Sequence, residues 1–471
     1  LLQNSNTEPA RCAGLFFGKD AISLIDTIAA VASGAGAVGV LRISGSNALI
    51  IAAHVFPTPL TTPRHLYYGA FCGTDGAILD QGLAAWFSAP ASYTGEDVVE
   101  FFCHGSPVVL ATILDACFAA GARAAKPGEF TRRAFLNGKL DLTQAEAVVD
   151  LVEAETVSAA KSAAAQLTGR IGREIQTARG ALLDLAAEFC AFVDYPDDDI
   201  EDFDTSSALA TLNAVYNALT ALADSYARGK ILKDGVKTAL LGRPNAGKSS
   251  LLNALVGYER SIVTATAGTT RDTVEESVFL GGVRLKLIDT AGLRETQDSI
   301  EREGVLRAEK AANAAELLLC VFDGAQPLNE EDQLVLDLAR ERRAIAIINK
   351  SDLPCVLTPA SLAPVFGDCI VVVSAQEAHG LDALSALISS LLETSTLPCD
   401  GGLITNARHA ACVRDAAARV HTAHEALVRG LTPDVAVCEM EAAIALLGEV
   451  TGETASDAVV SRIFERFCVG K

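Results

Sequence analysis

The chain has 471 residues, half of them hydrophobic, and a formal net charge of −21. Its length exceeds what one hydrophobic core organises and predicts about three domains. The acidic balance excludes a broad basic face that grips RNA or DNA through phosphates, and no run of about twenty uncharged apolar residues predicts a membrane span. In chain order, the lead-in Leu1–Leu24 has no apolar core of signal-peptide length and no arginine run. No secretory or organelle signal is expected there, and no function is assigned to it. A first residue of Leu rather than Met suits numbering that begins inside a longer reading frame. Twelve scattered cysteines without a C-x-x-C pair resemble neither a disulfide scaffold nor a zinc site, so reduced thiols and a cytoplasmic location are expected.

Residues 25–138 mix short β-rich runs, such as Val38–Ile43, Leu83–Phe87 and Val98–Phe102, with Gly and Pro punctuation, and predict an α+β domain. From residue 139 the texture becomes Ala-, Leu- and Glu-rich, with apolar residues at helical period (Ala145, Val148, Val149, Val152). Two long helices are expected over 140–193, with a break near Gly169–Gly172, and another over Ala208–Gly229. Asp194–Asp204 carries seven carboxylates at no repeating ligand spacing, which reads as a solvated loop and not a metal site. Residues 235–395 alternate strands (236–241, 283–288, 316–322, 344–348, 369–373) with helices, the pattern of a parallel sheet covered on both faces. Residues 396–471 return to helix at Arg408–Arg429, Glu439–Gly448 and Ala455–Phe467. The similar texture of 139–234 and 396–471 predicts one helical domain with an α/β domain inserted into it.

The most informative stretch is Gly242-Arg-Pro-Asn-Ala-Gly-Lys-Ser249, which fits G-x-x-x-x-G-K-[ST]. It follows the strand Val236–Leu241 and precedes a predicted helix, Ser249–Val256, which Gly257 would close in the left-handed cap position. Loop N–H groups and the helix N-terminus suit phosphates; Lys248 suits the outer phosphates and the Ser249 hydroxyl suits Mg2+. Four further motifs follow in the order a GTP site needs. Thr266–Asp272 (Thr-Ala-Gly-Thr-Thr-Arg-Asp) reads as a first switch whose threonine completes Mg2+ coordination. Asp289-Thr290-Ala291-Gly292 ends a strand; Asp289 suits an outer-sphere Mg2+ role and the Gly292 N–H the γ-phosphate. In Asn349-Lys350-Ser351-Asp352, the acceptor-only Asp352 carboxylate pairs with the two N–H donors of guanine and not with adenine. Ser374-Ala375 supports the guanine oxygen. Leu293 stands where many GTPases place a water-orienting glutamine, so another group must act, with Glu301 as the candidate.

Taken together, the chain resembles the MnmE (TrmE) family of tRNA-modifying GTPases from Asp26 to Lys471. Beyond the nucleotide motifs, the resemblance rests on Asp26-Thr-Ile-Ala-Ala30, Val40-Leu-Arg-Ile-Ser-Gly45, Ser92-Tyr-Thr-Gly-Glu-Asp97, Lys126–Asn137, Lys139–Ala147 and the tail Arg462–Lys471, which ends Cys-Val-Gly-Lys. It implies a multidomain fold: an α+β folate-binding and dimerisation domain, an all-α domain in two segments, and an inserted Ras-like α/β P-loop GTPase domain. It further implies a homodimer that joins an FAD-dependent MnmG-type partner in a heterotetramer or larger complex. That complex, reaching tRNA largely through the partner, would install an aminomethyl-type group, commonly carboxymethylaminomethyl, at carbon 5 of a wobble uridine. The one-carbon donor would be 5-formyl- or 5,10-methylene-tetrahydrofolate.

By the same resemblance, the GTP set is Asn245, Ala246, Gly247, Lys248, Ser249, Ser250, Thr264, Ala265, Thr266, Ala267, Gly268, Thr269, Thr270, Asp289, Thr290, Ala291, Gly292, Asn349, Lys350, Asp352, Ser374 and Ala375. Asn245 with Thr264, Thr266 and Thr269 would hold an activating K+, Ser249 and Thr270 the Mg2+, and Glu301 the attacking water. Arg42, Glu100, Lys139 and Lys471 would bind folate, and Cys468 is a candidate thiol for the modification site. Two departures stand out: Ser33–Val38 reads Ser-Gly-Ala-Gly-Ala-Val where the family usually carries an arginine, and His104-Gly-Ser-Pro replaces His-Gly-Gly-Pro. The competing readings are a ribosome-assembly GTPase switch, disfavoured by the acidic charge, and a folate-binding protein with a vestigial GTPase, disfavoured by the intact Lys248, Asp289 and Asp352.

Overall fold

The structure is a computed structural model that describes residues 26–194, 204–258, 277–288, 301–392 and 401–470. The chain divides into two compact units, residues 1–140 with 458–471 and residues 141–457.

The first unit is a six-stranded sheet with two helices on one face and a third against the other. Its elements are β1 (Ile28–Val31), β2 (Val38–Ser44), α1 (Ala48–Val55), β3 (Leu66–Cys72), β4 (Ile78–Phe87), β5 (Val98–His104), α2 (Pro107–Ala119), β6 (Arg123–Ala124) and α3 (Glu129–Leu136). The strand order is β3-β4-β5-β2-β1-β6, antiparallel except for the parallel pair β1–β6. Alternation decides which face is buried. Leu41 and Ile43 of β2 and Val99, Phe101 and Cys103 of β5 point into the core shared with α1 and α2, while Arg42 and Glu100 take the other face. Phe56, Phe71 and Phe101 cluster at the centre, with ring centroids 5.2 Å apart for both Phe56–Phe71 and Phe71–Phe101. Burying each such ring contributes roughly 1.5–3 kcal/mol. Ser106, in the altered His-Gly-Ser-Pro turn, has φ −68, a conformation any residue adopts, and it leads into Pro107 at the first position of α2.

The second unit begins with α4 (Leu142–Val152), α5 (Val157–Gln166), α6 (Arg170–Asp194), α7 (Thr205–Asp224) and α8 (Tyr226–Asp234). The break at Gly169 (φ 74) falls where the sequence predicts it, but a second break separates α4 from α5. There Thr156 accepts the Ala159 N–H as the N-cap of α5. A long-helix periodicity cannot reveal such a cap. Similarly, Ser225 turns its hydroxyl onto the Leu222 carbonyl at 2.6 Å and splits α7 from α8. Asp204, the last of the acidic run, caps α7 through the Ser206 and Ser207 N–H groups; residues 195–203 lie outside the described residues.

Next comes an α/β segment: β7 (Val236–Leu241), α9 (Lys248–Tyr258), β8 (Ser277–Leu280), β9 (Val283–Ile288), α10 (Glu301–Ala314), β10 (Leu317–Asp323), α11 (Glu330–Ala339), β11 (Ala344–Asn349), α12 (Pro359–Phe366), β12 (Ile370–Val372) and α13 (Leu381–Leu391). The order β12-β11-β10-β7-β9-β8 is parallel throughout except for the edge pair β8–β9. This is the doubly wound Ras-like arrangement, which opens its ligand crevice at the carboxyl ends of the strands. Every residue of β10 and β11 is buried, as parallel strands covered on both faces require. The short edge strand β8 has no counterpart among the predicted strands, since four residues carry too little periodicity. Gly257 lies inside α9 and does not take the left-handed cap conformation expected of it.

The chain then forms α14 (Ala407–Val428) and α15 (Pro433–Thr451). Ala410, Val413, Ala416, Ala417, Val420 and Ala423 of α14 share one core with Ile175, Leu182 and Phe189 of α6, Leu212 and Leu219 of α7 and Met440 and Leu447 of α15. The small alanine side chains allow close helix approach. Helices on both sides of the α/β segment thus bury one another. Among the described residues, no helix is long and apolar enough to cross a membrane. The last helix, α16 (Asp457–Phe464), leads into the tail, which packs on the first unit. Phe464 meets Phe135 and Phe467, and the Gly128 N–H donates to the Cys468 carbonyl at 3.4 Å. Gly128 (φ 66) leaves no space for a Cβ against Phe467.

Candidate nucleotide site

The glycine loop joins β7 to α9 at the carboxyl edge of the second sheet. Its backbone needs the residues it has. Gly242 has φ 150 and a Cβ there would strike the Val321 carbonyl of β10; Gly247 has φ 95 and a Cβ would strike the Asn349 amide. Asn245 sits exposed at the loop apex with φ 60, a left-handed conformation that asparagine tolerates better than most residues. Lys248 folds over the loop, its Nζ donating to the Gly242 carbonyl at 2.7 Å and the Arg243 carbonyl at 2.8 Å. Burial pushes its ammonium below the ordinary lysine value, against the opposing charge of Glu331. A partly desolvated ammonium beside a helix N-terminus gains most from an anionic ligand. Ser249 and Ser250 are exposed in the first turn of α9, where a hydroxyl oxygen is the hard donor Mg2+ takes.

The loops around this centre are tied together by one side chain. Asn349 ends β11 fully buried, its Nδ2 donating 3.0 Å to the Ala246 carbonyl while its Oδ1 accepts the Ala375 N–H at 3.0 Å. The phosphate loop and the Ser374–Ala375 loop therefore share one amide. Exposed Asp352 accepts the Ser374 hydroxyl at 2.6 Å through Oδ1. Its carboxylate thus has oxygen capacity left for a pair of N–H donors. Lys350, at φ 66, donates to Asp323 Oδ2 at 2.8 Å.

Sequence reasoning missed Asp323, Asp332 and Gln326, which surround the Arg243 guanidinium. Arg243 Nη2 donates to Gln326 Oε1 at 3.0 Å and lies 3.8 Å from Asp323 Oδ2, and Nη1 lies 3.5 Å from Asp332 Oδ2. All three charged side chains are buried. Burial pushes the Asp323 carboxyl up, but the Lys350 hydrogen bond, the Ala325 N–H and the charges of Lys350 and Arg243 outweigh it and hold it below the usual carboxylate range. The available signal was Asp323 itself, an acid that closes an otherwise apolar strand.

Among the expected site residues, Thr264, Ala265, Thr266, Ala267, Gly268, Thr269, Thr270, Asp289, Thr290, Ala291, Gly292 and Lys471 lie outside the described residues, as does the side chain of Glu301, whose backbone opens α10.

In the first unit, the register opposes Arg42 to Glu100. They form an ion pair at 2.8 Å, and the Arg42 guanidinium lies over Tyr93 (5.0 Å) and Phe130 (5.6 Å). Exposed Lys139 packs on Gly95 of the same loop as Tyr93 and donates to the Pro90 carbonyl at 3.1 Å. An aromatic-flanked ion pair with an exposed ammonium nearby offers both charges to a zwitterionic ligand edge. Cys468 is exposed in the tail.

The chain matches the family model for the N-terminus of GTP-binding protein TrmE over residues 27–139 and that for the MnmE helical domain over residues 142–468. It is 43% identical to "tRNA modification GTPase MnmE" of Chloroflexus aurantiacus over 95% of this chain and 100% of that one. The Roseiflexus castenholzii protein of the same description is 42% identical over 95% of this chain and 99% of its own length. The Syntrophotalea carbinolica protein is 40% identical with the same two coverages. With family models matching residues 27–139 and 142–468, and full-length relatives at this identity, the chain belongs to the MnmE family of tRNA modification GTPases.

Proposed function

We propose that this chain is a K+-stimulated GTPase, activated when two of its GTPase domains pair. With an FAD-dependent MnmG-type partner it would install a carboxymethylaminomethyl-type group at carbon 5 of the wobble uridine of certain tRNAs, using a folate one-carbon donor. The observation that carries the GTPase half is the Asn349 amide, which holds the phosphate loop and the guanine-facing loop at fixed separation.

Each residue has a role its chemistry suits. Lys248 would exchange its two carbonyl partners for phosphate oxygens. Ser249 with Thr270 would hold Mg2+, and Asp289 would act on it through water. The Gly292 N–H would bond the γ-phosphate and Glu301 would orient the attacking water, a task Leu293 cannot perform. Asn245, exposed at the loop apex, would present its amide oxygen to K+, with Thr264, Thr266 and Thr269 contributing further oxygens. A cation held there supplies the positive charge that an arginine finger gives other GTPases. Asp352 would select guanine. Arg42, Glu100, Lys139 and Lys471 would receive folate, and Cys468 is a candidate thiol for the modification site. The homodimer and its partner would form a heterotetramer or larger complex, with tRNA reached largely through the partner.

The test is mass spectrometry of tRNA nucleosides from cells lacking this chain, paired with hydrolysis assays in KCl and NaCl. Loss of the wobble-uridine modification and faster hydrolysis in KCl are expected. An unchanged nucleoside profile would remove the modification role, and equal rates in the two salts would remove the K+ ligand assignment.

A further inference from the structure

We propose that Arg243, Asp323 and Lys350 form a positioning relay that couples the phosphate loop to the guanine-recognition loop. The inference rests on the reading of Asp352 as the guanine acceptor.

Asp323 stands at the carboxyl end of β10, between β7, which feeds the phosphate loop, and β11, which feeds the Asn349–Asp352 turn. Its Oδ2 faces a cation from each: Lys350 at 2.8 Å and Arg243 at 3.8 Å. Its Oδ1 accepts the Ala325 N–H at 3.0 Å, so the carboxylate is fixed in place. Neither cation is free to relax. The backbone leading into Arg243 passes Gly242, where a Cβ would strike the Val321 carbonyl, and the guanidinium is also held by Gln326 and faces Asp332. The second oxygen of Asp332, Oδ1, is buried with no hydrogen-bond partner among the described residues, so this carboxylate depends on the Arg243 guanidinium at 3.5 Å from its other oxygen. Lys350 holds a left-handed φ of 66, strained for a lysine, and the ion pair to Asp323 offsets that strain.

Both ends of the relay reach ligand-facing atoms. The Arg243 carbonyl accepts from Lys248, the phosphate-binding lysine, at 2.8 Å. Lys350 lies two residues before Asp352. Releasing Arg243 leaves Asp323 paired with Lys350 alone, so the anchor of the turn that carries Asp352 is no longer tied to the phosphate loop. A side chain on the phosphate loop should thus affect discrimination of the base, although it does not touch the base.

The experiment uses the full-length chain and measures GDP and IDP affinities by competition with a fluorescent GDP analogue. Inosine lacks the exocyclic amine that an acceptor at Asp352 would read. Wild type should prefer GDP at least about tenfold, as loss of a charge-assisted hydrogen bond implies. Arg243→Met and Asp323→Asn should weaken GDP binding and reduce that preference at least about threefold, whereas Arg243→Lys should retain it. Equal weakening for GDP and IDP would assign Arg243 a purely local role and overturn the relay, as would unchanged affinities. If Arg243→Met does not fold, the near-isosteric Asp323→Asn carries the same comparison; collapse of both would mark the cluster as a structural core and overturn the proposal. A wild type without GDP preference would refute the Asp352 assignment, and the relay with it. A preference kept by wild type and variants alike refutes the relay alone.

Discussion

Replacing Asn349 by alanine should cripple nucleotide binding without touching the nucleotide's charged groups. The side chain is buried and makes two hydrogen bonds of 3.0 Å, one to each loop. Truncation orphans the Ala246 carbonyl and the Ala375 N–H, in residues that are themselves buried. An orphaned buried group costs about 1–3 kcal/mol. The loops can relax toward water in the free protein, so the sum for two groups is about 2–4 kcal/mol. Binding must then reorder both loops, and this cost appears as affinity lost. At about 1.4 kcal/mol per decade, GDP affinity should fall roughly thirty- to a thousandfold. Titration calorimetry with GDP measures this directly, with circular dichroism checking that the fold is kept. Asn349→Asp retains the acceptor for Ala375 but turns an oxygen toward the Ala246 carbonyl, so it should be at least as damaging. A loss below about fivefold for Asn349→Ala would refute the idea that one amide sets the loop separation.

Three further outcomes are expected. Asp352→Asn should shift preference from guanosine toward xanthosine nucleotides with little change in thermal stability, since Ser374 keeps a hydrogen-bond partner at residue 352; undiminished GTP affinity in competition binding would contradict this. Glu146 of α4, 2.5 Å from His409 and 3.0 Å from Arg408 of α14, should link bundle stability to acid. Burial pushes its carboxyl up, but His409 and Arg408 outweigh that and hold it at about 2, against an ordinary value of 4.5. A depressed carboxylate stabilises fully above its unfolded value, so the urea midpoint should drop as pH falls from 4.5 toward 2, and less steeply in Glu146→Gln; parallel profiles for the two proteins would dismiss the linkage. Arg42→Met should weaken tetrahydrofolate binding at least about tenfold by fluorescence titration, because a charge-assisted partner is lost, while basal GTP hydrolysis stays unchanged. Equal folate affinity would remove Arg42 from that site.

The sequence by itself determined the chemistry of the nucleotide loop. Glycine is required at 242 and 247 because the backbone takes φ values there that other residues avoid, and such local demands are written locally. It also determined the parallel sheet, because strands buried on both faces read as continuous apolar runs such as Ala344–Ile348. The resemblance in the flanking segments supplied the family. Helix breaks at Thr156 and Ser225 escaped notice because a single hydroxyl hydrogen bond barely disturbs an apolar period extending over several turns. What only the tertiary structure decided is which distant polar groups meet. Asn349 joins residues 246 and 375, Asp323 gathers Arg243 and Lys350, and Arg42 faces Glu100 across a strand pair. Periodicity and propensity describe a chain relative to its neighbours in sequence, whereas hydrogen bonds and ion pairs between loops depend on strand order and register, which long-range packing sets.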